Sequence, residues 1–301
     1  MNRRQFLTDM AATSIAPIVA GDLIHAGFSA RLDGHGPDVD EWQEKLIAYG
    51  RDYMSLGAAE IQKQLTVDLL VIQQQLDQPE LWDVSAKLAT LFGKTYPGSD
   101  GSKAVAWYRM AATAADRSEN TDARVWVRGR AAIALGYEGA SLGMAEVFAR
   151  QALEISGKPS LGRLNAVMGL AHVAAIRGDH NTALDLLDQG RRVFDSAGSD
   201  EQTSDYAVPE WRMNVFTSLL LARLGEERGA VEAQDTAREL LPSSLPRFAT
   251  HLELHRGLML ARAGDKAGGT AYAQAALDRL PPEKHSLTLR LLMAEIQGTN
   301  V

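Results

Sequence analysis

A motif of small residues recurs between Leu170 and Pro281, and no other feature of the sequence constrains the fold as strongly. Gly allows the tight bend between two antiparallel helices, Ala lets the second helix approach the first closely, and Pro ends that helix. In the last two copies the Pro lies seventeen residues after a Gly. The three copies contain, in order, Gly178 and Ala183; Gly225, Ala230, Ala237 and Pro242; and Gly257, Gly264, Ala276 and Pro281. The recurrence predicts consecutive helical hairpins.

This arrangement resembles the tetratricopeptide (TPR) repeat, a helix–turn–helix unit of about 34 residues with small residues at fixed offsets. The resemblance implies an all-α fold, a TPR-like α-solenoid of stacked antiparallel helix pairs. No segment alternates Val, Ile and Thr with polar residues over a strand's length, so we expect essentially no sheet. The corresponding small residues are Ala104, Ala145, Ala183, Ala230 and Gly269, at spacings of 41, 38, 47 and 39 residues. These units are therefore longer than the standard repeat.

The composition favours a globular protein that is neither a disulfide scaffold nor a polyanion-binding protein. The 301 residues are 46% hydrophobic and 23% charged, with a net charge of −7. An acidic chain is not attracted to nucleic acid or to anionic membranes, so we expect neither as a direct partner of this chain alone. With no cysteine there is no thiolate nucleophile and no Cys-ligated zinc, and we expect no cofactor.

The sequence divides into an N-terminal segment, residues 1–39, and a TPR-like helical repeat domain, residues 40–301. Residues 2–7 resemble a twin-arginine export motif, and a weakly apolar stretch follows as far as Ala20. Asp9 interrupts that stretch, so we favour a short helix before the linker 27–40 and a cytoplasmic protein. Export through a signal at residues 1–20 is the alternative.

Local patterns predict the individual helices of the repeat domain. Asp40 is expected to cap the first helix, and Ile61, Leu65, Leu69 and Ile72 mark a second one from residue 58 to 75. Further helices are expected at 81–92, 103–115, 123–136 and 144–155, and a capping helix at 286–296. The polar segment 196–209 is expected to be a mobile loop.

Two motifs point to chemistry, and neither is complete. Gly139-Ala140-Ser141-Leu142-Gly143 matches the G-x-S-x-G nucleophile elbow, but this chemistry needs a strand before the Ser, and the segment falls at a predicted helix–helix turn. His251 and His255 are four residues apart on one helix face, as two metal ligands would be, but a third ligand is missing. We therefore expect that the protein is not an enzyme and that it has no metal site.

In TPR hairpins the first helix of each unit lines the concave surface. Transferring that alignment to this chain predicts a groove lined by Arg130, Tyr137, Asn165, Met168, His172, Arg212, Arg223, His251 and Arg262. Such a groove is basic in an acidic protein, as recognition of a carboxylate or phosphate by Arg requires. The alternative is that each Arg packs its stem and solvates its charged end.

Three segments are similar to parts of actinobacterial helix-turn-helix (XRE-type) transcriptional regulators. They are residues 49–53 (YGRDY), residues 124–130 (RVWVRGR) with 137–139 (YEG), and residues 206–212 (YAVPEWR). Those proteins join a DNA-binding domain to a TPR-like C-terminal domain for sensing or interaction. The resemblance covers roughly residues 40–240, and only about 39 residues precede it here. It therefore implies the sensing domain without the DNA-binding domain.

Together these features predict a non-enzymatic, TPR-repeat binding protein with a regulatory role. Its basic concave groove would dock a protein, a peptide or a small anionic signal. Two alternatives stay open: a regulator of this helix-turn-helix/TPR family that acts with a missing or partner-supplied DNA-binding domain, and an exported TPR adaptor.

Overall fold

The computed structural model describes residues 36–56, 58–96 and 101–299. The ordered elements of this part of the chain are thirteen α-helices and two short 3₁₀ turns, with no strand, which confirms the all-α prediction. The predicted export motif, the short helix expected after it and residues 27–35 of the linker lie outside the described residues.

The helices follow one another with short connections. Their bounds are α1 Val39–Ser55, α2 Ala58–Ile72, α3 Leu81–Lys94, α4 Gly101–Arg117, α5 Thr121–Glu138, α6 Leu142–Ile155, α7 Leu161–Ile176, α8 His180–Ala197, α9 Glu210–Leu224, α10 Glu227–Leu240, α11 Pro246–Arg262, α12 Lys266–Asp278 and α13 Leu287–Gly298. The 3₁₀ turns are Gln73–Gln75 and Pro282–Lys284. The longest connection between two described helices is the segment from 198 to 209, between α8 and α9.

The first helix begins two residues before its predicted start. Asp38, not Asp40, is the N-cap: its side chain accepts a hydrogen bond from the Glu41 backbone N–H, and the Glu41 carboxylate accepts one from the Asp38 N–H. This reciprocal capping box satisfies two otherwise unpaired donors at once. Asp40 lies instead within the first turn of the helix.

The turns between paired helices contain the predicted glycines. Gly139, Gly178, Gly225 and Gly264 have φ angles of 69°, 78°, 77° and 101°, the left-handed region that a side chain disfavours. Each ends or follows a helix that would otherwise continue. These positions confirm the hairpin corners predicted from the motif.

Small residues also set the distance between helices. Ala145, Ala183 and Ala230 are fully buried in the second helices of their pairs. α5 and α7 cross closely, since a Cβ atom added to Gly129 would overlap the backbone carbonyl of Gly162. This packing is possible only without side chains at that crossing.

The contacts arrange the described helices in two layers. Each odd-numbered helix packs against the next odd-numbered one, from α1 to α13, and each even-numbered helix packs against the odd-numbered helices on either side of it. The inner helices α5, α7, α9 and α11 are consequently buried around most of their circumference. A helix in that position has one face toward its outer neighbours and another toward the centre of the molecule.

The inner layer curves so that its C-terminal helices contact its N-terminal ones. α13 contacts α5, and the Arg247 guanidinium of α11 donates a hydrogen bond to the Tyr53 carbonyl of α1 at 3.0 Å. The Arg223 guanidinium of α9 forms an ion pair with Glu295 of α13 at 2.8 Å. The centre is therefore enclosed by inner helices from both ends of the sequence, and the space left between them is a pocket rather than a long open groove.

Candidate functional site

A pocket with a cavity volume of about 80 Å³ lies between the inner helices. One water needs about 10–15 Å³ of such volume, so the pocket accommodates several waters or a small organic group. Its lining comprises Tyr53, Lys94, Arg130, Ile133, Ala134, Tyr137, Glu138, Asp205, Arg212, Val215, Phe216, Arg247, Phe248, His251, Ser286 and Thr288.

Helical periodicity brings these side chains to the same face. Arg130, Ile133 and Tyr137 are three and four residues apart on α5, and Arg212 and Phe216 are four apart on α9. The pocket wall thus begins with a charged residue on each of these helices and continues with apolar or aromatic residues one turn further along. Helix spacing alone divides the lining into a charged part and an apolar part.

Asp205 is the centre of the charged part. One of its oxygens, Oδ1, accepts hydrogen bonds from Lys94 Nζ, from Arg130 Nη2 at 2.8 Å and from Arg212 Nη2 at 2.9 Å. Burial disfavours its ionised form, but Arg130, Lys94 and Arg212 outweigh that effect and hold the pKa of Asp205 well below its usual value. A single carboxylate therefore faces three buried cations.

The loop that carries Asp205 is held in place, contrary to the mobility expected from its polar sequence. The Asp205 N–H donates to the Gly50 carbonyl at 2.8 Å, and the Trp211 indole donates to the Gln202 carbonyl at 3.1 Å. Arg212 Nη1 also donates to the Asp205 and Ala207 carbonyls. Asp205 is buried at the end of this loop, whereas the polar side chains of Asp200, Glu201 and Gln202 stay exposed.

Arg247 is the fourth cation of the pocket and is only 9% exposed. Its guanidinium donates to backbone carbonyls of α1 and lies 5.5 Å from the Tyr53 ring centroid and 5.3 Å from that of Phe248. None of the ion pairs formed between the described residues includes Arg247. Its charge is balanced only by carbonyl dipoles and ring faces.

Glu138 is the second carboxylate of the lining. The Thr288 hydroxyl donates to its Oε1 at 2.8 Å. Burial raises the pKa of Glu138, although Thr288, Lys94 and Arg130 oppose that shift. The pocket thus holds four basic side chains against two carboxylates. Burial shifts two of these groups toward their neutral forms: with the neighbouring Arg130 it lowers the pKa of Lys94 well below its usual value, and it raises the pKa of Glu138.

The apolar part of the lining is a connected set of rings. The Tyr137 ring centroid lies 5.8 Å from Phe216 and 6.2 Å from His251, and His251 stacks on Phe248 at 5.7 Å. Burial and the neighbouring Arg247 lower the pKa of His251 to about 3, so this imidazole is neutral at pH 7. His251 contributes a ring face and hydrogen-bonding nitrogens, not a charge.

Behind Tyr137 a second polar cluster joins four inner helices, α5, α7, α9 and α13. Arg223 donates from Nη2 to the Tyr137 carbonyl at 3.0 Å and to Glu295 at 2.8 Å, while Nη1 lies 3.2 Å from His172 Nδ1. Burial and the neighbouring Arg223 keep the pKa of His172 well below its usual value. This cluster fixes α13 against α5 and α9, and so forms one side of the pocket.

The structure brings together four of the nine side chains predicted to line the groove: Arg130, Tyr137, Arg212 and His251. His172 and Arg223 lie in the cluster behind them. Asn165 and Met168 are buried in α7, and Arg262 is exposed at the end of α11.

Four charged residues of the pocket were not predicted from the sequence: Lys94, Glu138, Asp205 and Arg247. Glu138 lies within the segment 137–139, and Asp205 directly before the segment 206–212, that resemble the regulators, and this was the available signal. Lys94 ends α3 and Arg247 begins α11, and nothing in their local patterns distinguishes them from surface cations. Their role follows from long-range packing alone.

Comparison with models of protein families, with curated proteins and with solved structures found no match. Within the described ranges, no group of three His, Asp or Glu side chains is placed to hold a metal ion. None of the helices in those ranges combines the length and the apolar character needed to cross a bilayer.

Proposed function

We propose that this chain is a non-enzymatic, TPR-like α-solenoid with a regulatory role, which docks a signal molecule in the basic pocket at its centre. The observation that carries this proposal is the charge of the pocket: four basic side chains face two carboxylates in a protein whose net charge is −7. Buried charge without a counter-ion is unfavourable unless something compensates it. An anionic ligand would supply that compensation.

The alternation of inner and outer helices supports the TPR-like arrangement. The closure of the inner layer favours a small molecule over a peptide among the possible ligands, because an extended chain needs a continuous groove. Recognition of the predicted protein or peptide partner would then occur elsewhere on the surface.

The position of the pocket supports a regulatory role. Tyr53 comes from α1, and Thr288 comes from α13, so a ligand would contact both ends of the described helix series at once. A ligand that binds only the closed arrangement stabilises it by its differential affinity. Occupancy would thereby be converted into a tighter association of the first and last helices, which a partner could detect.

We propose a binding protein rather than an enzyme because a substrate in the pocket would have no access to the candidate serine nucleophiles. Ser218 and His255 form a hydroxyl–imidazole pair at 2.9 Å, as in nucleophilic catalysis, but both side chains are fully buried. Ser141 of the elbow-like motif lies at the turn before α6, not after a strand. Neither serine is presented to a substrate in the pocket.

The test is whether the protein carries or accepts a small molecule at this site. The chain is purified from its native host, unfolded, and the released compounds are identified by mass spectrometry; the refolded protein is then screened by thermal shift against a metabolite library. A compound that binds and slows amide hydrogen exchange in both α1 and α13 supports the proposal. A protein that releases nothing and is stabilised by no compound refutes it.

A further inference from the structure

Two features of the pocket, taken together, indicate the chemistry of its ligand: a buried arginine without an acid, and an apolar wall of rings beside it. Arg247 Nη2 donates to the Tyr53 carbonyl at 3.0 Å and to the Met54 carbonyl at 3.5 Å, which leaves the Nε and Nη1 N–H groups for an occupant of the pocket. An ionised carboxylate beside Arg247 would form charge-assisted hydrogen bonds and neutralise the uncompensated charge. A neutral ligand would leave that charge unbalanced.

The other three cations are less free to pair with a ligand's carboxylate, because Asp205 already accepts a hydrogen bond from each of them. Polar atoms nevertheless remain unpaired around Asp205: its second oxygen Oδ2 and the Nε atoms of Arg130 and Arg212 are buried without a hydrogen-bond partner among the described residues. Buried polar groups in native proteins are usually paired, with ordered water if with nothing else. These atoms have almost no accessible surface, so the hydrogen bonds of the charged cluster are incomplete without offering a contact to a ligand.

A chain of hydrogen bonds from the core fixes a further donor at the pocket. Ser218 Oγ lies 2.9 Å from His255 Nδ1, His255 Nε2 lies 3.0 Å from the Tyr137 hydroxyl, and that hydroxyl lies 3.4 Å from His251 Nδ1. Within these contacts, both hydroxyl protons find acceptors only if Ser218 donates to His255 and Tyr137 donates to His251. His251 then carries its proton on Nε2, the ring nitrogen left to donate to a ligand.

The apolar part of the pocket distinguishes an organic acid from an inorganic anion. Phe216 and Phe248 form a wall with Tyr137 and His251, whereas phosphate or sulfate would require polar contacts on all sides. The cavity of about 80 Å³ is also smaller than the cavity of roughly 150 Å³ that admits benzene. The ligand therefore has a short aliphatic body.

We infer that the pocket binds a short-chain aliphatic carboxylate, with its carboxylate on Arg247 and the His251 Nε2–H and its carbon chain against Phe216 and Phe248. This inference rests on the proposed function, since it names the ligand class of the same pocket. It adds that the ligand has one carboxylate and a chain of only a few carbon atoms.

The experiment is isothermal titration calorimetry of the full chain with sodium acetate, propionate, butyrate and hexanoate, and with propionamide and inorganic phosphate. We expect affinity to rise from acetate to butyrate, to fall for hexanoate, and to be absent for propionamide. Arg247→Gln should weaken propionate binding at least tenfold, whereas the matched variant Arg256→Gln, at an exposed position on the same helix, should leave it unchanged. The chain-length series needs no variant, so it decides the question even if Arg247→Gln does not fold.

Equal binding of propionamide and propionate, binding of phosphate but of no carboxylate, or unchanged affinity in Arg247→Gln would each overturn the inference. No binding by any of the four carboxylates would do the same. These results are distinct from a failure of the proposed function. A thermal-shift screen that finds a cationic, neutral or phosphate ligand for this pocket overturns only the inference that the ligand is a carboxylate. A screen that finds no ligand at all overturns both.

Discussion

Asp205 is the most sensitive position in the account, because one carboxylate balances three buried cations. The change Asp205→Asn keeps the shape of the side chain and removes its charge. The side chains of Asp205, Lys94, Arg130 and Arg212 are 1%, 9%, 6% and 5% exposed, so water cannot replace the lost carboxylate. Removing one partner of a buried ion pair costs about 3–5 kcal/mol. We expect a loss of that size in the free energy of unfolding.

The assay is urea unfolding followed by circular dichroism at pH 7, with Asp188→Asn as the matched control. Asp188 pairs with Arg191 at 3.6 Å, but its side chain is 62% exposed, so its replacement should change stability by less than about 0.5 kcal/mol. If Asp205→Asn is as mild as Asp188→Asn, then Asp205 does not neutralise the cluster and the electrostatic account of the pocket is incorrect.

The pH dependence of this difference provides a second check. In the folded protein the pKa of Asp205 lies below its ordinary value of 3.8. The ionised side chain therefore stabilises the fold at every pH above the pKa that Asp205 has in the unfolded chain. The difference between wild type and Asp205→Asn should therefore be constant from pH 7 to pH 5. It should shrink only as the pH falls below about 4.

Three other changes have defined outcomes. Gly129→Ala places a methyl group against the Gly162 backbone and should cost roughly 2–3 kcal/mol in thermal unfolding; a fully stable variant would contradict the close crossing of α5 and α7. Glu295→Gln leaves the buried Arg223 without its acid and should cost about 2 kcal/mol in urea unfolding, and no loss would show that this pair does not fix α13. Glu138→Gln removes a negative charge beside the ligand's carboxylate and should tighten propionate binding about threefold in calorimetry at pH 8. The effect should diminish at pH 5, because Glu138 in the wild type then takes up a proton. Weaker binding by the variant at pH 8 would contradict this prediction.

The parts of the fold that the sequence predicted are those with a local cause. Gly178, Gly225 and Gly264 are placed at corners by their backbone freedom, and periodic apolar residues give the helices. Asp38 could have been found as well, since it lies three residues before Glu41 in the pattern of a capping box. The physical information in these cases lies within one or two helical turns.

The pocket could be predicted only in part, because its cause is not local. Arg130 and Arg212 were identified from their repeat positions, but their partner Asp205 lies in a loop whose polar sequence indicates exposure. Arg247 becomes a pocket residue only because α11 reaches α1 across nearly the whole described chain. The curvature that closes the inner layer depends on all the helix crossings together, and no single motif encodes it.

The most direct test of the central claim is a crystal structure of the protein with 3-bromopropionate, whose bromine gives an anomalous signal. We expect one strong bromine peak between Phe216 and Phe248, with the carboxylate within hydrogen-bonding distance of Arg247. A saturating concentration that leaves this pocket without bromine, or that places the compound only on the outer surface, would contradict the claim that the centre of this helical stack is a binding site for organic acids.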